Sequence, residues 1–174
     1  MIELTDCDAG DVLALELWDA AGAAPVEQAL GYALPPAGHS APPAGHSASP
    51  AGHSAGDDRG RAMRFEPNVW LVEGSGVDRA ALAEAVGAHG AVTAIGGGLV
   101  RVILRGAGWR ALLMHDGVFD AEDSAFAPGC TAATVIAHVA VRLNVVSEDR
   151  CDALVPASLA EGLIARWRQL VAGI

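Results

Sequence analysis

Residues 134–146, TVIAHVAVRLNVV, alternate in character over most of their length. Val135, Ala137, Val139, Val141, Leu143 and Val145 point one way, and Thr134, His138, Arg142 and Asn144 the other. That period of two predicts one long strand with a buried face. A turn at Ser147-Glu148-Asp149 returns the chain into Cys151 to Val155, so the last two long strands form a hairpin. Shorter apolar runs predict strands at 2–5 and 11–18 around a turn at Asp8-Ala9-Gly10, at Val69 to Glu73, and at Val92 to Ile95 and Leu99 to Arg105. The last two are joined through Gly96-Gly97-Gly98, read as a hairpin or a bulge.

The helical signals are fewer. Pro25 to Leu30 suits a short helix with proline in its first turn. Asp78 caps DRAALAEAVGAHG, whose Leu82 and Val86 lie four apart on one face, and Trp109 to Met114 fits another short helix. Ser158-Leu159-Ala160-Glu161 has the form of a capping box. It opens a helix with Leu159, Leu163, Trp167 and Leu170 on one side, ending near Gly173. Strands outnumber helices without alternating regularly with them. The expected class is therefore α+β: an antiparallel sheet with helices packed on one face, in a single domain over 1–174.

Composition narrows the chemistry. The chain is 52% hydrophobic with 5% aromatics, enough for a packed core at 174 residues. Its net charge of −10 argues against a phosphate backbone as partner. All eleven basic residues are arginine, which removes P-loop and Schiff-base lysine chemistry. Cys7, Cys130 and Cys151 are odd in number and contain no C-x-x-C pair, as expected of reduced thiols in a cytoplasmic protein. The acidic opening MIELTDCDAGD lacks the pattern of a signal peptide, and no run is long and apolar enough to span a membrane.

Residues 35–55 write one seven-residue unit three times, PPAGHSAPPAGHSASPAGHSA, with His39, His46 and His53 in successive copies. Proline and glycine in each unit prevent a continuous helix, and no acidic or cysteine ligand lies inside it. The reading is a low-complexity surface insertion over 35–61, with a metal-buffering role as the lesser alternative. Gly74-Ser75-Gly76 lacks the third glycine of a dinucleotide fingerprint, because position 79 is Arg79. His138 reads as a surface histidine on a strand, His89 as a helix C-terminal residue and His115 as the lead into an Asp116-Gly117 turn. Asp120, Glu122 and Asp123 read as a solvated acidic loop rather than a metal site. The residues therefore indicate no catalytic, cofactor-binding or metal site in this chain.

Three strings carry a resemblance: Pro67-Asn68-Val69-Trp70-Leu71-Val72, Phe126-Ala127-Pro128-Gly129 and Val155-Pro156-Ala157-Ser158-Leu159-Ala160-Glu161. In order and spacing they resemble the gamma subunit of heterotetrameric sarcosine oxidase. That family is related to the folate-binding domain of the glycine cleavage aminomethyltransferase, and the similarity covers roughly residues 62–172. The resemblance implies a subunit without an active site, assembled in the cytoplasm with alpha, beta and delta subunits. On those the complex would hold FAD, FMN, NAD, tetrahydrofolate and zinc while it demethylates sarcosine or a related N-methyl amino acid. Members often carry a D-x-S-x-x-R pattern; the matching positions here are Ala94, Gly96 and Leu99. The alternative is a free-standing folate-binding protein of the aminomethyltransferase-like class. Trp18, Trp109 and Trp167 are candidate interface contributors, with core packing the favoured reading for each.

Overall fold

The computed structural model describes residues 2–41, 60–74 and 76–173. The chain divides into two compact units: Gly10–Ile95, and a second made of Met1–Ala9 with Gly96–Ile174. Each unit holds one antiparallel sheet of five strands, so there are two sheets where the apolar pattern suggests one. The class is α+β, as expected.

In chain order the elements are β1 (Glu3–Asp8), β2 (Val12–Leu17), α1 (Ala23–Leu30), β3 (Ser40–Ala41), β4 (Arg61–Glu66), β5 (Val69–Glu73), α2 (Arg79–Val86), β6 (Gly90–Ala94), β7 (Leu99–Arg105), α3 (Trp109–His115), β8 (Thr131–Ile136), β9 (Val139–Ser147), β10 (Arg150–Pro156) and α4 (Ala157–Gly173). Most of the sequence-predicted strands and helices are present within a residue or two.

The Gly10–Ile95 unit has the strand order β3-β4-β5-β2-β6. Leu13, Leu15 and Leu17 project from one face of β2 into a core with Trp70, Val72, Val26, Leu82 and Val86. Asp78 caps α2 as expected, its carboxylate accepting from the Ala80 and Ala81 N–H groups at 2.8 and 3.1 Å. Glycine at 90 is a steric requirement, since a Cβ there would lie 2.0 Å from the Glu16 carbonyl oxygen. Strand β4 was missed because its apolar and charged residues follow no clean period (RAMRFE).

The other unit has the order β1-β7-β10-β9-β8. Helices α3 and α4 supply Trp109, Leu112, Leu113, Leu163, Ile164 and Trp167 to a core that the sheet completes with Leu104, Leu143, Val145, Cys151 and Val155. Four expectations are corrected here. The 134–146 strand is not continuous: Ala137 and His138 form a two-residue turn, both at positive φ, and β8 folds back on β9. A single strand would exceed the ~10 residues strands ordinarily reach. Folding it turns Ile136 inward and leaves Val135 exposed, so the adjacent apolar pair marks where the alternation slips. Next, Gly96-Gly97-Gly98 closes no hairpin, because β7 belongs to one sheet and β6 to the other. Helix α4 begins at Ala157, one residue before the expected cap. Its inner face is Ala160, Leu163, Ile164 and Trp167, with Leu159 turned out.

Candidate functional site

The three strings are structural joints. Pro67-Asn68 turns β4 into β5, and Trp70 then enters the core with its indole N–H donating to the Pro35 carbonyl at 3.0 Å. The Arg64 guanidinium stacks 4.5 Å from the Trp70 ring and donates to the Pro67 carbonyl. Around Phe126, Arg110 does the equivalent work. It stacks on Trp109 at 4.3 Å and donates to the carbonyls of Ala121 and Phe126 at 2.5 and 2.8 Å. Gly129, at φ 90, then carries the chain into β8. The third string is the direct passage from β10 into α4.

The predicted histidines scatter. His39 offers its backbone carbonyl to the Arg64 N–H at 3.0 Å; His46 and His53 lie outside the described residues. His89 Nδ1 sits 3.0 Å from Asp19. That hydrogen bond, aided by the Ala21 N–H, holds the Asp19 carboxyl below its usual value. Asp120 and Asp123 accept from the Glu122 and Ala125 N–H groups at 2.9 Å each, so they shape turns. Among the described residues no three His, Cys, Asp or Glu side chains are placed to hold a metal. Cys7 is exposed, Cys130 half-buried, and Cys151 buried, where desolvation pushes its thiol pKa up. Burial likewise pushes the Tyr32 phenol up to about 12.

Two arrangements escaped the sequence. The buried polar side chains Thr131, Asn144 and Asp152 share one cross-strand row on the sheet face away from the apolar core. Arg150 forks onto Asp152 at 2.7 and 2.9 Å, and Arg101 reaches it at 3.4 Å. A signal for the first pair existed, since residues two apart on a strand share a face. The second arrangement is a cavity of about 370 Å³ lined by Asp116, Ala137, His138 and Arg166. Arg166 grips both Asp116 oxygens at 2.5 and 2.7 Å, and this holds the Asp116 carboxyl below its usual value. His115 lies 3.5 Å from the same carboxylate.

Of the tryptophans, Trp109 and Trp167 are fully buried, whereas Trp18 is 63% exposed. Ala94 ends β6, Gly96 is buried in the turn that follows, and Leu99 opens β7 with an apolar side chain. None of these positions offers a polar side chain to a folate. No described helix is long and apolar enough to cross a membrane.

The fold is similar to the heterotetrameric sarcosine oxidase from Corynebacterium sp. U-96 in complex with pyrrole 2-carboxylate. The TM-score is 0.77 at 21% identity, over 95% of this chain and 80% of that one. It is also similar to the glycine cleavage system aminomethyltransferase T from Bartonella henselae, with TM-score 0.62 and 19% identity over 95% of this chain and 45% of that one. At such identities the likeness shows the fold. No curated protein matches the chain in sequence. The sequence model described as "Sarcosine oxidase, gamma subunit family" matches residues 15–172. The chain belongs to the sarcosine oxidase gamma subunit family.

Proposed function

We propose that this chain is the non-catalytic gamma-type subunit of a heterotetrameric sarcosine-oxidase-like complex in the cytoplasm. The complex oxidatively demethylates sarcosine or a related N-methyl amino acid and passes the one-carbon unit to tetrahydrofolate. FAD, FMN, NAD, zinc and the folate sit on the alpha, beta and delta subunits. The observation that carries this reading is the family match over residues 15–172, supported by a fold shared across 95% of the chain with a heterotetrameric sarcosine oxidase. The role of the chain is interface and stability. Trp18, exposed where Trp109 and Trp167 are buried, is one surface group suited to that role.

The likeness to an aminomethyltransferase supports a second reading, a free-standing folate-binding protein. Ala94, Gly96 and Leu99 weigh against it, since recognition of a polar ligand needs convergent polar groups. The test is purification of the tagged chain from its native host, with a visible absorption spectrum and subunit identification. Yellow, flavin-bearing subunits in equal ratio are expected. A colourless chain eluting alone, and binding tetrahydrofolate by calorimetry, would replace the first reading with the second.

A further inference from the structure

At Gly117 the chain leaving α3 passes close to the helix it has just left. A Cβ there would lie 2.4 Å from the Leu113 carbonyl oxygen, so the close passage requires glycine. It brings Asp116 beside the β8–β9 turn. The Asp116 carbonyl accepts from the Ala137 N–H at 3.0 Å, and Gly117 bridges to Ile136. From α4, Arg166 grips the Asp116 carboxylate at 2.5 and 2.7 Å. Three parts of the chain are thus tied together around the cavity of about 370 Å³ lined by Asp116, Ala137, His138 and Arg166.

The polar groups of the lining are unequally presented. The Asp116 side chain is 18% exposed and that of Arg166 48%, and His138 is exposed. Arg166 has five N–H groups, of which the grip on Asp116 uses two, and no other described residue takes the rest. The His138 ring likewise has no hydrogen-bond partner among the described residues. A group entering the cavity therefore meets donors first, with the carboxylate behind them. Ala137 and His138, at φ 48 and 67, are the two non-glycine residues at positive φ among those described. Asn-Gly would make this turn without strain, and strain of this kind collects at ligand clamps. What the strained turn retains is an imidazole on the cavity wall.

We propose that this cavity binds a carboxylate. The anion takes unused guanidinium N–H groups of Arg166 and a ring N–H of His138, and the body of the ligand lies along the Ala137 methyl. A cation is the poorer occupant, because Arg166 already holds the one carboxylate of the lining. The remaining titratable group nearby is His115, 3.5 Å from Asp116. Asp116 itself, at the C-terminal end of α3, opposes a second anion, which sets the expected affinity for a minimal carboxylate at about 10 mM. The carboxylate comes from a free small acid or from a neighbouring subunit, and its chemistry at the site is the same.

The test titrates the isotope-labelled chain with sodium acetate, against sodium chloride at the same ionic strength, and follows the Ala137 methyl and Arg166 Nε–H resonances. Acetate is expected to shift both saturably and chloride to shift neither. Arg166→Gln and His138→Gly are each expected to weaken acetate binding roughly tenfold. His138→Gly relieves the turn and leaves the Arg166–Asp116 pair in place, so its loss of binding is neither misfolding nor a freed Asp116. A response that never saturates, that chloride reproduces or that either variant retains in full would overturn the proposal. Repeating the titration on the chain assembled with the other subunits separates the two sources. Persistence of the acetate response assigns a free acid, and its loss assigns a carboxylate of a neighbouring subunit. Only this last step rests on the gamma-type reading: if no complex forms, that reading fails and the acetate result stands.

Discussion

The two outer strands of the β1-β7-β10-β9-β8 sheet have the same length and opposite characters. β1, ELTDCD, carries Glu3, Asp6 and Asp8, and Asp6 is held by Arg168 of α4. Another strand approaching it meets three carboxylates, in a chain already at −10. β8 carries none, and its exposed residues include Val135. Charge on an edge is a cheap guard against pairing, and β8 lacks it, its turn-side end being covered instead by the bridge from Gly117 to Ile136. The turns beyond the strands differ in the same sense. β1 leads into Gly10, where positive φ carries no strain, while β8 leads into Ala137 and His138, where it does.

Predictions from this contrast run from the largest effect to the smallest. Between the edges, Asp152 pairs with both Arg150 and Arg101 while itself 3% exposed. Asp152→Ala removes the buried carboxylate that Arg150 and Arg101 both reach and is expected to destabilise by about 3 kcal/mol, the low end for a broken buried pair because Arg150 is partly exposed. Chemical denaturation measures it; a loss below ~1 kcal/mol would mean that both arginines find water, and that the sheet centre is no more committed than its edges.

Arg110 tests the β8 side specifically, because it secures the loop that leads into that strand. Arg110→Ala removes two charged hydrogen bonds and the stack on Trp109. The expected loss is about 2 kcal/mol, with hydrogen exchange rising at residues 119–130 and not in β1. Arg110→Lys should restore less than half, since an ammonium lacks the flat fork. Equal exchange at both edges would erase the distinction between them.

The smallest effect is a pH dependence. Arg166 holds the Asp116 carboxyl below the usual 3.8, so its contribution to stability is present above that value. It is lost as the pH falls below that value, through the lowered folded-state pKa. Asp116→Asn should lower stability by a constant amount at all pH values above about 4, pH 7 included, and flatten the acid limb below that. Parallel acid limbs for both proteins would show that the pair adds nothing at this corner.

Local signals found most of the elements. Val69–Glu73 and Leu99–Arg105 were delimited by their apolar runs, α2 by Asp78 and the Leu82–Val86 spacing, and the β9–β10 hairpin by its Ser147-Glu148-Asp149 turn. The cavity beside His138 was half legible. His138 and Arg142 were seen as polar positions, but the turn at Ala137-His138 was hidden inside an alternation that runs nearly unbroken through it. Asp116 and Arg166 are 50 residues apart in the chain and Arg101 and Asp152 are 51 apart, and no local pattern joins them.

By itself, then, the sequence determined the α+β class, the caps, the positions of most strands and the family strings. Each is a property of neighbours along the chain, where side-chain period and capping chemistry act. The tertiary structure decided which sheet each strand joins, that 134–146 folds back on itself, and that Ala160 rather than Leu159 faces inward on α4. Backbone hydrogen bonds between strands do not depend on which residues make them, so only the packing of distant side chains into one core can choose among the possible pairings.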